Sequence, residues 1–425
     1  MSEVKKVCIV ASKRIPFMKS GTRYTRLSNN QLMVPALKTL VRDLGLEGKE
    51  VGEVVWGAVN KHAYQFSLAR ECVMDSGLSP HTPATDIQKA CGTSLEAAII
   101  VANKIALGQI DCGIAGGVDT NSDVPIEFKK SFSDRLVAIS NSKTLSQKLS
   151  ALKGFNPMEL LPQLPAIKEP RTGKSMGESC EEMAQRWNIA REDQDKLALM
   201  SHQNAVSAYK EGFYDELVVE FKGAKRDGTI RSDGSLEKLS KLRPAFDKES
   251  GKGTLTAANS TALTDGAACV FLCSEEYAKE NDYEVLAYLS YAQSFGVNYI
   301  DDEGLLMAPA YAVPKMLKRA GLSLQDFDYY EIHEAFAAQV LCTLEAWKSE
   351  EFCKEKLGLD QALGEIDMSK LNVKGGSLAM GHPFAATGAR IVGSLSKILN
   401  ENGKGRGLVS ICTAGGMGVT AIIEK

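Results

Sequence analysis

Four residues in this chain stand where their side chains could do chemistry. Cys91, in QKACGTSLEAA, lies just ahead of a stretch whose apolar spacing predicts a helix over Ser94–Leu107, with Thr93 and Ser94 expected as capping residues. A thiol at a helix N-terminus feels the positive end of the helix dipole, which lowers its pKa and favours a nucleophilic thiolate. A buried structural cysteine fits the same local string, because cysteine is among the most buried residue types. His382 sits in GGSLAMGHPFAATGAR, where Gly375, Gly376, Gly381 and Pro383 form a tight loop that displays the imidazole. Cys412 closes an apolar run in LVSICTAGGMG, and the glycines that follow let backbone approach a ligand closely. His333 stands in EIHEAFAAQ. Three loops that each carry a Cys or His at the end of an element point together to nucleophilic catalysis with acid–base help.

Several decoys fall away. His333 does not open an HExxH metal motif, because the second histidine position is Ala337. The TGKS string at Thr172–Ser175 resembles the end of a phosphate loop, but the earlier glycine it requires is Lys168. No Cys or His pair has zinc-ligand spacing, so no metal is expected. His62, His81 and His202 read as surface or structural.

The elements that position these residues alternate strand and helix, the pattern of an α/β layered sheet. In the first third, strands are expected at Val7–Ser12, Glu53–Asn60 and Asp111–Gly116, and helices at Asn30–Arg42, Ser67–Gly77 and Ser94–Leu107. The last third repeats the order. Strands are expected near Glu284–Phe295, Asp326–Ile332, Gly407–Cys412 and Val419–Glu424, with helices at Tyr311–Ala320, Glu334–Trp347 and Ala385–Asn400. The repeated order implies an internal duplication. The middle, about 121–253, breaks the pattern with a proline cluster and one long helix over Ser179–Tyr209, and reads as an insertion upon the sheet core. The domain boundary is therefore placed between residues 275 and 276, with an N-terminal half of 1–275 that includes the insertion and a C-terminal half of 276–425.

Composition narrows the class. The 425 residues are 44% hydrophobic and 24% charged, with a net charge of −3, so no global field favours nucleic acid. No apolar run reaches the roughly 20 residues that span a bilayer. Ten cysteines without CxxC pairing suggest reduced thiols and a cytoplasmic setting. One local exception is the stretch 129–153. It sets Lys129, Lys130, Arg135, Lys143, Lys148 and Lys153 against Asp134 alone, with Leu145, Leu149 and Leu152 at helical spacing. Those leucines could pack on the core. The alternative is a basic amphipathic surface for an acidic partner, with at most weak peripheral membrane contact.

The motifs together resemble the thiolases, the acyl-CoA acyltransferases of fatty-acid β-oxidation and acetoacetyl-CoA metabolism. The resemblance runs from VCIVASKRIPF at Val7–Phe17 through ACGTS, GGVD at Gly116–Asp119, MGESCEEMA, KLRPAF at Lys241–Phe246, GTLTAANSTALTDGAA, HEAFA and GGSLAMGHPFAATGAR to CTAGGMG. The His333 variant, where most members carry Asn, is similar to the branch that partners a hydratase/dehydrogenase α-chain. The resemblance implies a five-layered α-β-α-β-α fold of two βαβαβαββ halves with an inserted loop domain. It implies Cys91 as the acylated nucleophile, His382 as its base, Cys412 as the second acid–base group and His333 at an oxyanion site. Backbone N–H groups of Cys91 and Ala414 would form the oxyanion hole. Arg231 would meet the CoA nucleotide and Thr261 the pantetheine, with Met176 and Phe336 lining the thioester channel. Coenzyme A is then a substrate, no cofactor is needed, and a homodimer or dimer of dimers is expected. The implied reaction is 3-ketoacyl-CoA thiolysis, with acetoacetyl-CoA synthesis as the alternative. A one-cysteine, two-histidine 3-ketoacyl synthase and a non-catalytic acyl-CoA or sterol carrier are the rival readings.

Overall fold

The computed structural model describes residues 4–301 and 303–425. Its main feature is a ten-stranded sheet. From edge to edge run Tyr329–Ile332, Arg406–Thr413, Met417–Glu424, Ala287–Gly296, Val7–Arg14, Thr264–Ser274, Cys112–Asp119, Glu53–Gly57 and Ala84–Asp86, with the short Met18–Lys19 beside Thr264–Ser274.

The sheet is two copies of one topology. Counted along the chain, the strands of the N-terminal half lie in the order third, second, fourth, fifth, first. The C-terminal half has the same order, its third strand reduced to a parallel bridge between Leu371 and Tyr330. Strand directions match as well: second and fourth are parallel, while fourth, fifth and first run antiparallel in sequence. Each half also places a helix after its first, second and third strands. These are Asn29–Asp43, Leu68–Ser76 and Thr93–Ala106 in one half and Ala308–Ala320, Ala337–Lys348 and Thr387–Asn402 in the other. The halves meet at a short pairing of Cys8 with Tyr288 and Ile9 with Ala287.

Alternating side chains along each strand sort into separate cores, as the two-residue period of a strand requires. Val7, Ile9, Val270, Leu272, Val409, Ile411, Ala421 and Ile423 enter a middle core with Leu95 and Val101 of one helix and Ile391 and Leu395 of another. Cys8, Val10, Phe271 and Cys273 face outward against Leu32, Met33 and Leu37 of Asn29–Asp43. Leu408 and Ile422 face the opposite outer side against Val313, Leu317 and Trp347. Two outer helix layers, two half-sheets and a central helix pair give the five-layered α-β-α-β-α arrangement. The central helices touch because Gly388 has no side chain: a Cβ there would sit 2.4 Å from the Leu95 nitrogen.

Some local expectations are corrected. The long middle helix is two, Met176–Arg186 and Arg191–Lys210, interrupted where Asn188 adopts a left-handed φ of 51°. The helix expected from Glu334 begins only at Ala337, because Phe336 is extended and bridges Ser260. Thr93 and Ser94 do not cap their helix. Thr93 Oγ1 instead donates to the Ala90 carbonyl at 2.7 Å, and Ser94 Oγ accepts from Ala389 N at 2.8 Å. The basic stretch forms the helices Lys130–Asn141 and Leu145–Ala151. Its leucines do not pack on the core: Leu145 is 73%, Leu149 61% and Leu152 43% exposed. No helix among the described residues is long and apolar enough to cross a membrane.

Candidate active site

Cys91 and His382 arrive at the site from equivalent places, each just ahead of the third helix of its half. Ala90 holds a left-handed φ of 46° and Thr93 staples the turn from within, so the chain delivers Cys91 from a strained corner. Gly381 makes the corresponding bend with a φ of 90°, against Thr264, where any side chain would collide. His382 Nε2 then lies 3.0 Å from Cys91 Sγ, and its Nδ1 lies 2.7 Å from Thr387 Oγ1. For Nε2 to accept the thiol proton, Nδ1 must carry the ring hydrogen and donate it to Thr387.

Cys91 does not have the lowered pKa expected of a thiol at a helix N-terminus. Burial pushes the Cys91 thiol up to about 12, although the N–H groups of Ala414 and Cys91 itself face the sulfur and pull the other way. Burial, helped by the nearby Arg390, brings His382 down to about 3. At rest the pair is a neutral thiol hydrogen-bonded to a neutral imidazole. Charge separates only when an electrophile accepts the sulfur.

Cys412 is the penultimate residue of the fourth strand of the C-terminal half and is buried. Burial and the neighbouring Cys91 hold its thiol well above the ordinary range. Left-handed glycines Gly415 and Gly416 turn the chain beyond it, and Gly415 N donates to Glu169 Oε1 of the insertion at 3.0 Å. His333 follows the second strand, and its ring centroid is 4.3 Å from that of His382. Its Nδ1 lies 2.9 Å from Ser377 Oγ. Burial, then His382 and Arg390, keep it neutral.

Cys91, His333 and His382 each bring a donor atom within 4.8 Å of the others, a cluster that linear spacing did not foresee and that could hold a metal ion. A tetrahedral zinc ion would set its sulfur and nitrogen ligands about 3.5 Å apart. The observed 3.0 Å between Cys91 and His382 is instead a hydrogen-bonding distance suited to proton transfer.

Beyond this centre lies a groove of about 690 Å³, lined by Lys19, His202, Arg231, Lys238, Phe246 and Thr261 among others. Arg231 and Thr261 thus line one groove. Thr261 Oγ1 donates to the Ser377 carbonyl at 2.6 Å and its N–H to the Ala335 carbonyl at 3.1 Å. Met176 and Phe336 share an apolar cluster with Cys412. Phe246, the last residue of the KLRPAF string, packs edge-on against Phe336 at 5.7 Å. His202 is not a plain surface residue: its Nδ1 accepts the Arg231 N–H at 3.2 Å, and burial beside Arg231 lowers it to about 4.

Two buried acids were also missed. Asp119 accepts N–H bonds from Asn60 at 2.7 Å and Ala385 at 2.9 Å, tying the strand end to the His382 loop. Burial raises it to about 7. Glu334 accepts from Ser201 Oγ, Asn372 Nδ2 and Leu378 N at 2.6 to 3.0 Å, locking the His333 turn onto the Gly375–Met380 loop. Their signal in the sequence was an acidic residue inside an otherwise apolar or glycine-rich string.

The chain matches the thiolase N-terminal domain model over residues 7–276 and the thiolase C-terminal domain model over residues 284–425. It belongs to the thiolase family. This thiolase is 42% identical over 426 residues to a 3-ketoacyl-CoA thiolase of Yersinia enterocolitica, covering 99% of this chain and 97% of that one. The match to a Vibrio cholerae 3-ketoacyl-CoA thiolase is 42% over 428 residues, with 99% and 97% covered. Among solved structures, a Bacillus anthracis acetyl-CoA acetyltransferase superposes with a TM-score of 0.82 at 30% identity, covering all of both chains. Human mitochondrial 3-ketoacyl-CoA thiolase in complex with CoA gives 0.82 at 26% identity, again over all of both chains. The thiolase is thus an acyltransferase by family.

Proposed function

We propose that this thiolase cleaves 3-ketoacyl-CoA with free CoA, giving acetyl-CoA and a shortened acyl-CoA. The observation that carries the reading is the 3.0 Å contact of Cys91 Sγ with His382 Nε2, with His333 and Cys412 gathered beside it. As Cys91 attacks the 3-keto carbon, its proton passes to His382 Nε2. The N–H groups of Cys91 and Ala414 receive the oxyanion. The bond between the α and β carbons breaks, leaving its electrons on the acetyl-CoA enolate, whose oxygen is held by His333 and protonated His382. Cys412 gives the enolate carbon a proton. The Cys412 thiolate then removes the proton of the incoming CoA thiol. CoA attacks the acyl-Cys91 thioester, the bond from the acyl carbon to Cys91 Sγ breaks, and Cys91 takes its proton back from His382 as the shortened acyl-CoA leaves. A thiol that burial keeps protonated until a carbanion forms suits Cys412 for this pair of transfers. Coenzyme A enters as a substrate, its pantetheine arm passing Thr261, Met176 and Phe336 and its phosphates meeting Arg231 and Lys19.

The 42% identity to proteins named 3-ketoacyl-CoA thiolases supports degradation over acetoacetyl-CoA synthesis. A 3-ketoacyl synthase would leave Cys412 without work, and a carrier would have no need of the Cys91–His382 contact. The deciding measurement is kcat/KM for thiolysis of short-, medium- and long-chain 3-ketoacyl-CoAs. Activity confined to acetoacetyl-CoA would overturn the chain-cleaving assignment.

This reading extends to assembly. A second copy, in a homodimer or dimer of dimers, would cover the unpaired outer edge of Ala84–Asp86 and the exposed Tyr64 and Phe66. Ten buried free thiols suit a cytoplasmic, reducing setting. The exposed basic segment would serve a hydratase/dehydrogenase α-chain or weak peripheral membrane contact.

A further inference from the structure

His333 is completely buried, and its two ring nitrogens have different surroundings. Nδ1 faces Ser377 Oγ at 2.9 Å, while Nε2 has no partner. With Nδ1 taken, Nε2 is the nitrogen left for the centre shared with Cys91 and His382. Ser377 Oγ is also 2.9 Å from Arg390 Nη2. Arg390 is anchored in turn by Glu331, Nη1 to Oε2 3.6 Å, with both side chains almost entirely buried.

Donor counting fixes the direction of this chain. A guanidinium only donates, so Arg390 occupies a lone pair of Ser377 Oγ. The serine has one proton, and among the described residues its remaining partner is His333 Nδ1. If the hydroxyl donates to Nδ1, both contacts of Ser377 Oγ are satisfied and the ring hydrogen sits on Nε2, the one polar group of the His333 and Ser377 side chains left open. If Nδ1–H donated to Ser377 instead, the serine proton would have no acceptor, and Nε2 would be an empty acceptor. Of the His333 and Ser377 side chains, two buried groups would then be unsatisfied rather than one, which disfavours that tautomer.

We propose that Ser377, oriented by Arg390, is a positioning residue that locks His333 in the tautomer whose Nε2–H points into the site. His333 then donates directly to the oxygen of the departing enolate and needs no intervening water. A neutral donor is also what the burial of His333 between His382 and Arg390 allows. The proposal rests on the thiolytic reading, since it assigns the group that receives this hydrogen bond.

The test is a double-mutant cycle on Ser377→Ala and His333→Asn, with kcat, KM and iodoacetamide labelling of Cys91 followed in each. Ser377→Ala is expected to lower kcat about ten- to a hundredfold with little change in KM, because an oriented donor is lost only where charge develops. Labelling of Cys91 should stay at the wild-type rate, because the Cys91–His382 pair is untouched. In the His333→Asn background the amide donates without help from Ser377, so adding Ser377→Ala should change kcat by no more than about twofold. An equal loss in both backgrounds, or no loss in either, overturns the proposal. A measurement on the unmutated protein covers a folding failure of the variants: ¹⁵N-histidine NMR should show His333 with a bare Nδ1 and a protonated Nε2. The opposite tautomer also overturns it. If the thiolytic reading itself were wrong, the wild type would not turn over 3-ketoacyl-CoA with CoA, while the NMR result would stand independently.

Discussion

Cys91 and His382 are counterparts across the internal duplication: each precedes the third helix of its half, and their side chains meet at 3.0 Å where those helices touch. The nucleophile and its base are therefore held by one packing event, the contact of Thr93–Ala106 with Thr387–Asn402. The Ala389 N to Ser94 Oγ bond at 2.8 Å and the bare Gly388 backbone against Leu95 set that contact. Position along the chain separates the two residues widely, but the fold gives them the same address.

The neutral resting state of this pair has a measurable consequence. Burial holds Cys91 up at about 12 and His382 down at about 3, so no preformed thiolate–imidazolium pair exists near neutrality. The rate of Cys91 alkylation by iodoacetamide should climb with pH across the neutral range, because thiolate becomes more abundant as protons are withdrawn. A plateau from mildly acidic to neutral pH would be the mark of an ion pair and would contradict this account. His382→Ala should slow both alkylation and turnover, the latter by about 10²- to 10⁴-fold, the usual contribution of a positioned general base.

Cys412→Ala separates the two half-reactions. Cys91 and His382 remain, so incubation with an acyl-CoA should still deposit an acyl group on Cys91, visible as a mass increase of the intact protein. Turnover should collapse, because nothing protonates the enolate or deprotonates CoA. Failure of Cys91 to acylate in this variant would show that the roles have been divided wrongly.

Asp119→Asn tests the tether beneath the site. The carboxylate accepts from Val59, Asn60 and Ala385, and an amide would turn a donor toward one of these N–H groups. Leaving a buried group unsatisfied costs about 1–3 kcal/mol, so thermal or urea unfolding should register a loss of that size. The pH dependence has a definite sign. The folded pKa, about 7, is raised above the ordinary carboxylate value, so the folded state holds the proton more tightly than the unfolded chain. The Asp119 contribution to stability should therefore decline as pH rises from about 4 to about 7 and stay level above. The Asn variant should lack this slope; an unchanged slope would remove Asp119 as its source.

The site was legible in the sequence where chemistry sits at the ends of elements. Cys91, His382, Cys412 and His333 each occupy a loop that glycine, proline or a strand end makes visible. What stayed hidden depends on contacts between distant segments. Thr264–Ser274 was missed as a strand because it is buried on both faces and shows no polar alternation. Ser377 and Arg390 read as ordinary members of a glycine-rich loop and a helix until the fold places them against His333. The resting state of Cys91 was hidden too, because desolvation, a property of the packed interior, outweighs a local dipole there. The break at Asn188 depends on a left-handed residue that periodicity alone passes over.

The exposed leucines of the basic segment lead to the last prediction. Leu145, Leu149 and Leu152 are spaced for one face of a helical stretch and all three are solvent-facing, so the core-packing explanation for them is lost. Lys143, Lys148 and Lys153 lie alongside, with a local excess of five positive charges over 129–153. An interfacial helix gains from apolar insertion and from attraction to anionic headgroups. Here the helix Leu145–Ala151 is only 7 residues long, so both gains are small and the attraction is open to screening by salt. The full-length protein should co-sediment weakly with vesicles containing phosphatidylserine at low salt and release at high salt. Changing Lys143, Lys148 and Lys153 to Glu should abolish the low-salt binding while leaving thiolysis unchanged. Equal sedimentation of both forms, or none by either, would rule out the lipid surface and leave a protein partner as the reason for an uncovered leucine face.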